Sequence, residues 1–201
     1  MICRAAAVAS LAALAAGCGP SRPARVVPPA LDPEAVTAAV MAKADANGSG
    51  SIEKPEFAAV PALAAAVQEL DGDRDGAVSA AELRAWLEQV KLSQIAITSF
   101  AGEVRHLKKP LASATVRLVP ESFMGTGVQP AEGVTDASGR FSATIPQAKY
   151  PGVNCGLYRV EITGQGNDGK PLPARFNAQS TLGAAVGGRL PENGVAAFVL
   201  E

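Results

Sequence analysis

Two short acidic segments carry the residues of this chain that are best suited to chemistry. Residues 45–56 read DANGSGSIEKPE, and residues 71–82 read DGDRDGAVSAAE. Both have oxygen-bearing side chains at positions 1, 3 and 5, a glycine at position 6 and a glutamate at position 12. This spacing turns alternate side chains toward one point inside a loop. Such a set suits a hard divalent cation, which prefers about six to eight oxygen ligands.

The pattern resembles the EF-hand calcium loop, in which position 7 contributes its carbonyl, position 9 often acts through water and position 12 binds through both oxygens. The resemblance implies Ca²⁺ at two sites. The ligands predicted for the first loop are Asp45, Asn47, Ser49, Ser51, Glu53 and Glu56. The ligands predicted for the second loop are Asp71, Asp73, Asp75, Ala77, Ser79 and Glu82.

The two loops differ in charge. The first offers three carboxylates and the second offers four. Affinity rises with ligand charge, within the limit set by repulsion. The second loop is therefore predicted to bind calcium more tightly. The aliphatic residues at position 8, Ile52 and Val78, are expected to pair in a short antiparallel bridge that couples the loops.

Helical patterns flank both loops. Asp32, Pro33 and Glu34 predict a helix start, with a cap, a proline in the first turn and an acid there. The loops begin only 26 residues apart. The helices between them are therefore expected to be short, with a break near Pro61. This compact spacing is similar to that of dockerin repeats, which implies a calcium-dependent docking module as an alternative, although dockerins lack the glutamate at position 12.

The amino terminus predicts export. Residues 1–17 have a positive start and an apolar run too short to span a bilayer, as in a secretory signal peptide. The run ends in LAAGC at residues 14–18, which resembles a bacterial lipobox, although the leucine stands four residues before Cys18 rather than three. The resemblance implies lipidation of Cys18 and an anchor in a bacterial membrane, on the periplasmic or cell-surface side. An ordinary secretory signal is the alternative. Residues 18–31 would form the lipidated, proline-rich tether.

The period of the apolar residues changes from helical to alternating after about residue 92. Residues 115–119, 157–162 and 196–200 read as strands, and about seven short strands predict a β-sandwich over residues 92–201. The runs FAGEVRHLKKPLASATVRLVPE (100–121), GVTDASGRFSATI (133–145) and YRVEITG (158–164) resemble carboxypeptidase regulatory-like, or transthyretin-like, domains. The resemblance implies a prealbumin-like or Ig-like fold that is usually non-catalytic. Residues 121–131 are expected to be a plain strand connection, with a binding loop as the alternative.

Composition excludes several classes of function. The net charge is −1, and eleven acidic residues face four basic ones between residues 32 and 90. No basic stripe with interleaved aromatics is present, so nucleic-acid binding is not expected. His106 is the sole histidine, which disfavours a serine triad, a zinc site or a catalytic pair with Cys155. Cys155 is expected to be a half-buried structural thiol.

Together these patterns predict an α+β chain of two domains. A small all-α EF-hand pair at residues 32–91 would precede an antiparallel β-sandwich at residues 92–201. The leading functional hypothesis is an exported, membrane-anchored calcium-binding protein in which calcium is mainly structural. No enzymatic activity is expected. The alternatives are an adhesion or scaffold protein whose sandwich binds a protein or glycan partner, and the dockerin-like module.

Overall fold

A computed structural model describes residues 25–187 and 195–201. The predicted signal peptide at residues 1–17 and the predicted lipidation site at Cys18 lie outside the described residues. Within those two ranges, no helix is both long enough and apolar enough to cross a bilayer.

The amino-terminal part is helical and includes one very short sheet. Its elements are α1 (Pro33–Ala44), β1 (Ser51–Ile52), a 3₁₀ helix (Lys54–Ala59), α2 (Pro61–Leu70), β2 (Val78–Ser79) and α3 (Ala80–Ser93). The expected break near Pro61 is present, because the 3₁₀ helix ends just before this proline and α2 begins with it. Proline at the first helical position costs no intrahelical hydrogen bond.

Side-chain caps begin α1 and α3, and a left-handed residue ends α3. The Asp32 carboxylate accepts the N–H of Ala35 at 3.2 Å, which starts α1. Ser79 and Glu82 form a reciprocal capping box at the start of α3. The left-handed conformation of Gln94 ends α3. The local sequence therefore accounts for these boundaries.

The carboxy-terminal part is a sandwich of two sheets. Its strands are β3 (Phe100–His106), β4 (Lys109–Pro110), β5 (Thr115–Pro120), β6 (Ala131–Val134), β7 (Arg140–Ala143), β8 (Gly156–Thr163), β9 (Gly183–Val186) and β10 (Ala196–Leu200). One sheet has the order β6–β5–β8–β9, and every pair in it is antiparallel. In the other sheet, β3 lies between β10 on one side and both β4 and β7 on the other. The predicted α+β class with a sandwich-like arrangement is confirmed.

One pairing departs from the predicted antiparallel arrangement. β10 lies parallel to β3, with Ala196 opposite Gly102 and Leu200 opposite His106. The turn at residues 136–139 links the two sheets. It joins β6 to β7, which belong to different sheets and meet in an isolated bridge between Glu132 and Thr144. The bridge joins the two sheets at this edge.

Residues 121–131 join β5 to β6, as expected of a strand connection. This segment also contains a 3₁₀ helix at Ser122–Met124 that contacts α1. Glu121, just before it, is 8% exposed and forms an ion pair with Lys43 at 2.9 Å. The connection therefore touches the helical part of the chain.

The helical part and the sandwich share one continuous hydrophobic core among the described residues. α2 packs against β8 and β9, and α1 packs against α3. Buried side chains from the helices include Val40, Leu63 and Leu87, and those from the sheets include Leu118 and Val160. The helices consequently form a third layer beside the two sheets.

Candidate metal centre

The residues at position 1 of the two loops occupy equivalent places. Asp45 directly follows α1 and Asp71 directly follows α2, and each backbone N–H bonds to the last helical turn. One carboxylate oxygen of Asp45 accepts the N–H of Gly50 at 2.9 Å, and Asp71 accepts the N–H of Gly76 at the same distance. Each helix therefore delivers a carboxylate into its loop in a set orientation.

The glutamates at position 12 join the two ends of each loop. Oε1 of Glu56 accepts the N–H of Ala46 at 2.9 Å, and its Oε2 accepts the N–H of Glu53 at 3.0 Å. Glu82 repeats this arrangement, with the N–H of Gly72 at 2.7 Å and that of Ser79 at 2.9 Å. Both glutamates thus turn into their loops, the direction that bidentate coordination requires.

Positions 3 and 5 also turn inward. The Oδ1 atom of Asn47 accepts the N–H of Ser49 at 2.8 Å, and Oδ1 of Asp73 accepts the N–H of Asp75 at 3.2 Å. Asp75 in turn accepts the N–H of Ala77 at 2.8 Å. The two loops therefore share the same hydrogen-bond scheme at most of the predicted ligand positions.

The turn and the bridge predicted for the loops are both present. Gly50 and Gly76 have φ angles of 83° and 88°, a region that glycine enters without steric cost. Ile52 pairs with Val78 in an antiparallel bridge, and both side chains are fully buried. The bridge holds the loops side by side.

The carboxylates of the second loop influence one another electrostatically. Partial desolvation raises the pKa of Asp71, but the N–H groups that it accepts lower the pKa by more, so the net shift is downward. Glu82 shows the same balance and the same net direction. For Asp73, the N–H of Asp75 lowers the pKa, but desolvation and the charges of Asp75 and Glu82 raise it by more. A divalent cation would relieve this repulsion.

The second loop has the more convergent set of carboxylates. Oxygens of Asp71, Asp73 and Glu82 all lie within 4.8 Å of one another. Within residues 25–187 and 195–201, no other group of three or more histidine, cysteine or acidic side chains meets this distance. Three carboxylates at this spacing can enclose one hard cation.

Some of the predicted ligand residues of the first loop hydrogen-bond to one another. The Ser49 hydroxyl donates to the carbonyl of Ser51 at 2.9 Å, so the oxygens of positions 5 and 7 bond to each other. The amide of Asn47 donates to the predicted position-9 ligand, Glu53, at 3.3 Å. In the second loop, the hydroxyl of Ser79 at position 9 donates to Glu82 at 2.7 Å. A cation entering the first loop would have to replace more of these bonds.

Comparison with known protein families agrees with this geometry. A family model described as EF hand matches residues 37–61 and 63–87. The two segments form an EF-hand pair. The first hand comprises α1, its loop and the 3₁₀ helix, and the second hand comprises α2, its loop and α3. EF-hands bind calcium through loops of this kind. No curated protein and no solved structure matches the chain.

Cys155 and His106 occupy different surroundings. Cys155 is a free thiol that is buried rather than half-buried as predicted, and burial raises its pKa. His106 is also buried, and its Nδ1 accepts the N–H of Asn167 at 2.9 Å. Among the hydrogen bonds of the described residues, none joins the thiol to the imidazole.

Sequence reasoning missed the contacts that hold the EF-hand pair against the sandwich. Lys43 and Glu121 are 78 positions apart, and no local pattern connects them. The packing of α2 on β9 places Pro61 and Ala62 against Gly183, which is equally remote in sequence. Residues 27–31, within the predicted tether, line an apolar groove of about 300 Å³ beside Val90 and Cys155. These contacts join segments that are far apart in the sequence, so no local pattern could have indicated them.

Proposed function

We propose that the protein is an exported, membrane-anchored calcium-binding protein in which both EF-hand loops hold calcium and the sandwich is a non-catalytic interaction domain. The observation that carries the calcium assignment is the repeated hydrogen-bond scheme of the two loops. In each loop, the carboxylates at positions 1 and 12 are held by backbone N–H groups and face the loop interior. Loops prearranged in this way lose little conformational freedom when a cation binds.

A structural role for calcium has two supports. The entering helices α1 and α2 both contact the sandwich, which restrains the opening motion on which calcium sensors depend. Sensor hands also expose methionine-rich grooves, whereas Met41 is the sole methionine between residues 32 and 91. Calcium at extracellular levels saturates even weak sites with Kd values of about 10⁻⁴–10⁻³ M. Export to a compartment with calcium at this level would therefore keep both loops occupied by calcium.

The anchor and the sandwich are assigned from the sequence. The LAAGC run at residues 14–18 supports lipidation of Cys18, and the apolar run before it supports export. The runs at residues 100–121, 133–145 and 158–164 support the resemblance to carboxypeptidase regulatory-like domains. Those domains are usually non-catalytic, which favours a protein or glycan partner for the sandwich.

Calcium calorimetry on the full chain, purified in detergent, tests the calcium assignment. The expected result is two calcium ions per chain. Binding of a single ion would contradict the two-site assignment, and no binding would overturn the proposed function.

Melting curves in calcium and in chelator, followed with a dye that reports exposed apolar surface, test the structural role. A higher melting temperature without increased dye binding is expected, and calcium-induced dye binding would instead indicate a sensor.

Labelling with a fatty acid in a bacterial host tests the anchor. The wild-type chain should incorporate labelled palmitate and sediment with membranes. The Cys18→Ala variant is the matched control and should remain unlabelled. Equal labelling of both chains, or labelling of neither, would refute lipidation at Cys18.

A further inference from the structure

The outer face of the β6–β5–β8–β9 sheet is covered by the EF-hand pair at its β8–β9 end. Successive side chains of a strand alternate between faces, so Leu157 lies on the face opposite that of Tyr158 and Val160. Tyr158 and Val160 belong to the sandwich interior, yet Leu157 is also 0% exposed. α2 contacts both β8 and β9. The helix therefore supplies the packing layer that this outer face needs.

Gly183 is the point of closest approach between the sheet and α2. It pairs with Arg159 in the β8–β9 ladder, on the same face as Leu157. A Cβ atom at this position would overlap the backbone of Pro61 and Ala62. Gly183 lies within a strand and its φ lies outside the left-handed region, so space rather than backbone conformation requires glycine here.

α2 connects this contact to the second calcium loop. The helix begins at Pro61, above Gly183, and is ten residues long. Its end is joined to Asp71, whose N–H bonds to the carbonyl of Val67 at 2.8 Å. A helix this short behaves as a rigid unit, so a shift at Pro61 is carried to the carboxylate at position 1.

The first hand has its own contact with the sandwich. Lys43, in the last turn of α1, forms an ion pair with the buried carboxylate of Glu121 and lies over the ring of Phe123, 5.6 Å from its centre. Asp45 follows two residues later at position 1 of the first loop. Both entering helices are therefore held by the sandwich, α1 near the start of its loop and α2 at its first turn, ten residues before Asp71.

We propose that Gly183 is a positioning residue for the calcium loops, because it lets α2 dock on β9 in the orientation that sets Asp71. By reciprocity, calcium bound in the loops strengthens the docking of α2 and stabilises the β8–β9 edge of the sandwich. This inference rests on the proposed calcium binding. It assigns to the sandwich a part in setting calcium affinity.

Two glycine substitutions in the same sheet test the inference. Gly183→Ala pushes α2 away from β9. The matched control is Gly133→Ala in β6, where a Cβ atom would meet the backbone of Ser142, away from the helices. Both variants should melt at a lower temperature in chelator. Calcium affinity, measured well below the melting temperature, should fall by about five- to tenfold in Gly183→Ala and stay within about twofold in Gly133→Ala. Unchanged affinity in Gly183→Ala, or an equal loss in both, would overturn the proposal.

Hydrogen exchange on the wild-type chain tests the coupling between calcium and the sandwich if Gly183→Ala does not fold. Calcium should slow hydrogen exchange at the amides of the β8–β9 ladder by about tenfold, with a smaller effect on the β3–β10 ladder. Protection confined to residues 33–93 would refute the coupling. Absence of calcium binding by the wild-type chain would instead refute the proposed function itself. The two failures are thus distinguishable.

Glu121→Gln provides a second variant that removes one charge and keeps the side-chain shape. It breaks the ion pair with Lys43 and should weaken calcium binding by about two- to threefold. Glu103→Gln, which breaks the Arg105 ion pair within β3, is its control and should leave the affinity unchanged. Equal affinities in both variants would show that the Lys43 contact does not contribute to the coupling.

Discussion

Single residues determine how each calcium loop closes. The glutamate at position 12 accepts hydrogen bonds from backbone N–H groups near both ends of its loop, and its two carboxylate oxygens face the loop interior. In the second loop, Glu82 lies within 4.8 Å of two further carboxylates, Asp71 and Asp73. In the first loop, Asn47 and Ser49 stand where the second loop has aspartates. The difference in affinity should therefore be visible when each glutamate is neutralised.

We expect Glu82→Gln to remove more calcium affinity than Glu56→Gln, with a loss of at least about tenfold, or about 1.4 kcal/mol, at the second site. The amide keeps the size of the side chain but removes one bidentate carboxylate from the more highly charged loop. Calorimetry on both variants and the wild-type chain provides the measurement. A larger loss from Glu56→Gln would contradict the predicted order of the two sites.

The Cys155 thiol should react slowly in the folded chain. Burial raises its pKa, so the thiolate fraction at neutral pH is smaller than for an exposed cysteine. Alkylation of Cys155, followed by mass spectrometry of its peptide, should be more than about tenfold faster in denaturant than in native buffer. Equal rates in the two conditions would show that the thiol is accessible in the folded chain.

At the scale of elements, the β1–β2 bridge makes one unit of the two loops. Ile52 and Val78 are both fully buried and lie opposite each other. The bridge is only two residues long, so its stability depends on the burial of these two side chains rather than on the few backbone hydrogen bonds between β1 and β2. α2, which connects the loops, has its own support in β9. The loops are thus joined to each other by the bridge, and the helices that lead into them are held by the sandwich.

Ile52→Ala should lower stability by about 2–5 kcal/mol and reduce calcium affinity at both loops. The cavity left by the isoleucine removes the contact through which one loop supports the other. Leu200→Ala is the matched control, because Leu200 is equally buried but lies in β10, outside the β8–β9 edge on which α2 docks. This control should lose comparable stability while keeping its calcium affinity. Chemical denaturation and calorimetry separate the two effects, and similar affinity losses in both variants would argue against a coupling role for the bridge.

For the whole molecule, the shared core makes the helices and the sandwich interdependent. The outer face of one sheet is covered by α2, and the connection after β5 is held by α1. Neither part can unfold without exposing apolar surface on the other, such as Leu157. We therefore expect calcium binding to stabilise the described sandwich as well as the hands.

The full chain should unfold in a single calorimetric transition that moves to higher temperature with calcium. At a calcium concentration of a hundred times Kd, each site contributes about 2.7 kcal/mol. In a chain of this size, that energy raises Tm by about 5–10 °C per site. Scanning calorimetry in calcium and in chelator measures the shift. Two separate transitions, with only the first responding to calcium, would show that the two parts are independent.

Local patterns in the sequence determined much of this protein. The alternating oxygens of residues 45–56 and 71–82 determined the loop geometry, because calcium ligation and the loop turn depend on neighbours within twelve positions. The strands at 115–119, 157–162 and 196–200 were likewise predictable from alternation over a few residues, and the break before Pro61 from the chemistry of proline.

The tertiary structure alone decided how these elements assemble. Alternation places Leu157 and Tyr158 on opposite faces of β8 but does not say that both faces are buried. The close approach of α2 depends on the missing side chain of Gly183, more than a hundred positions away. The parallel pairing of β10 with β3 also joins segments that no local pattern relates. Contacts at such separation depend on the packing of the whole chain, and through them the calcium loops and the sandwich become one body.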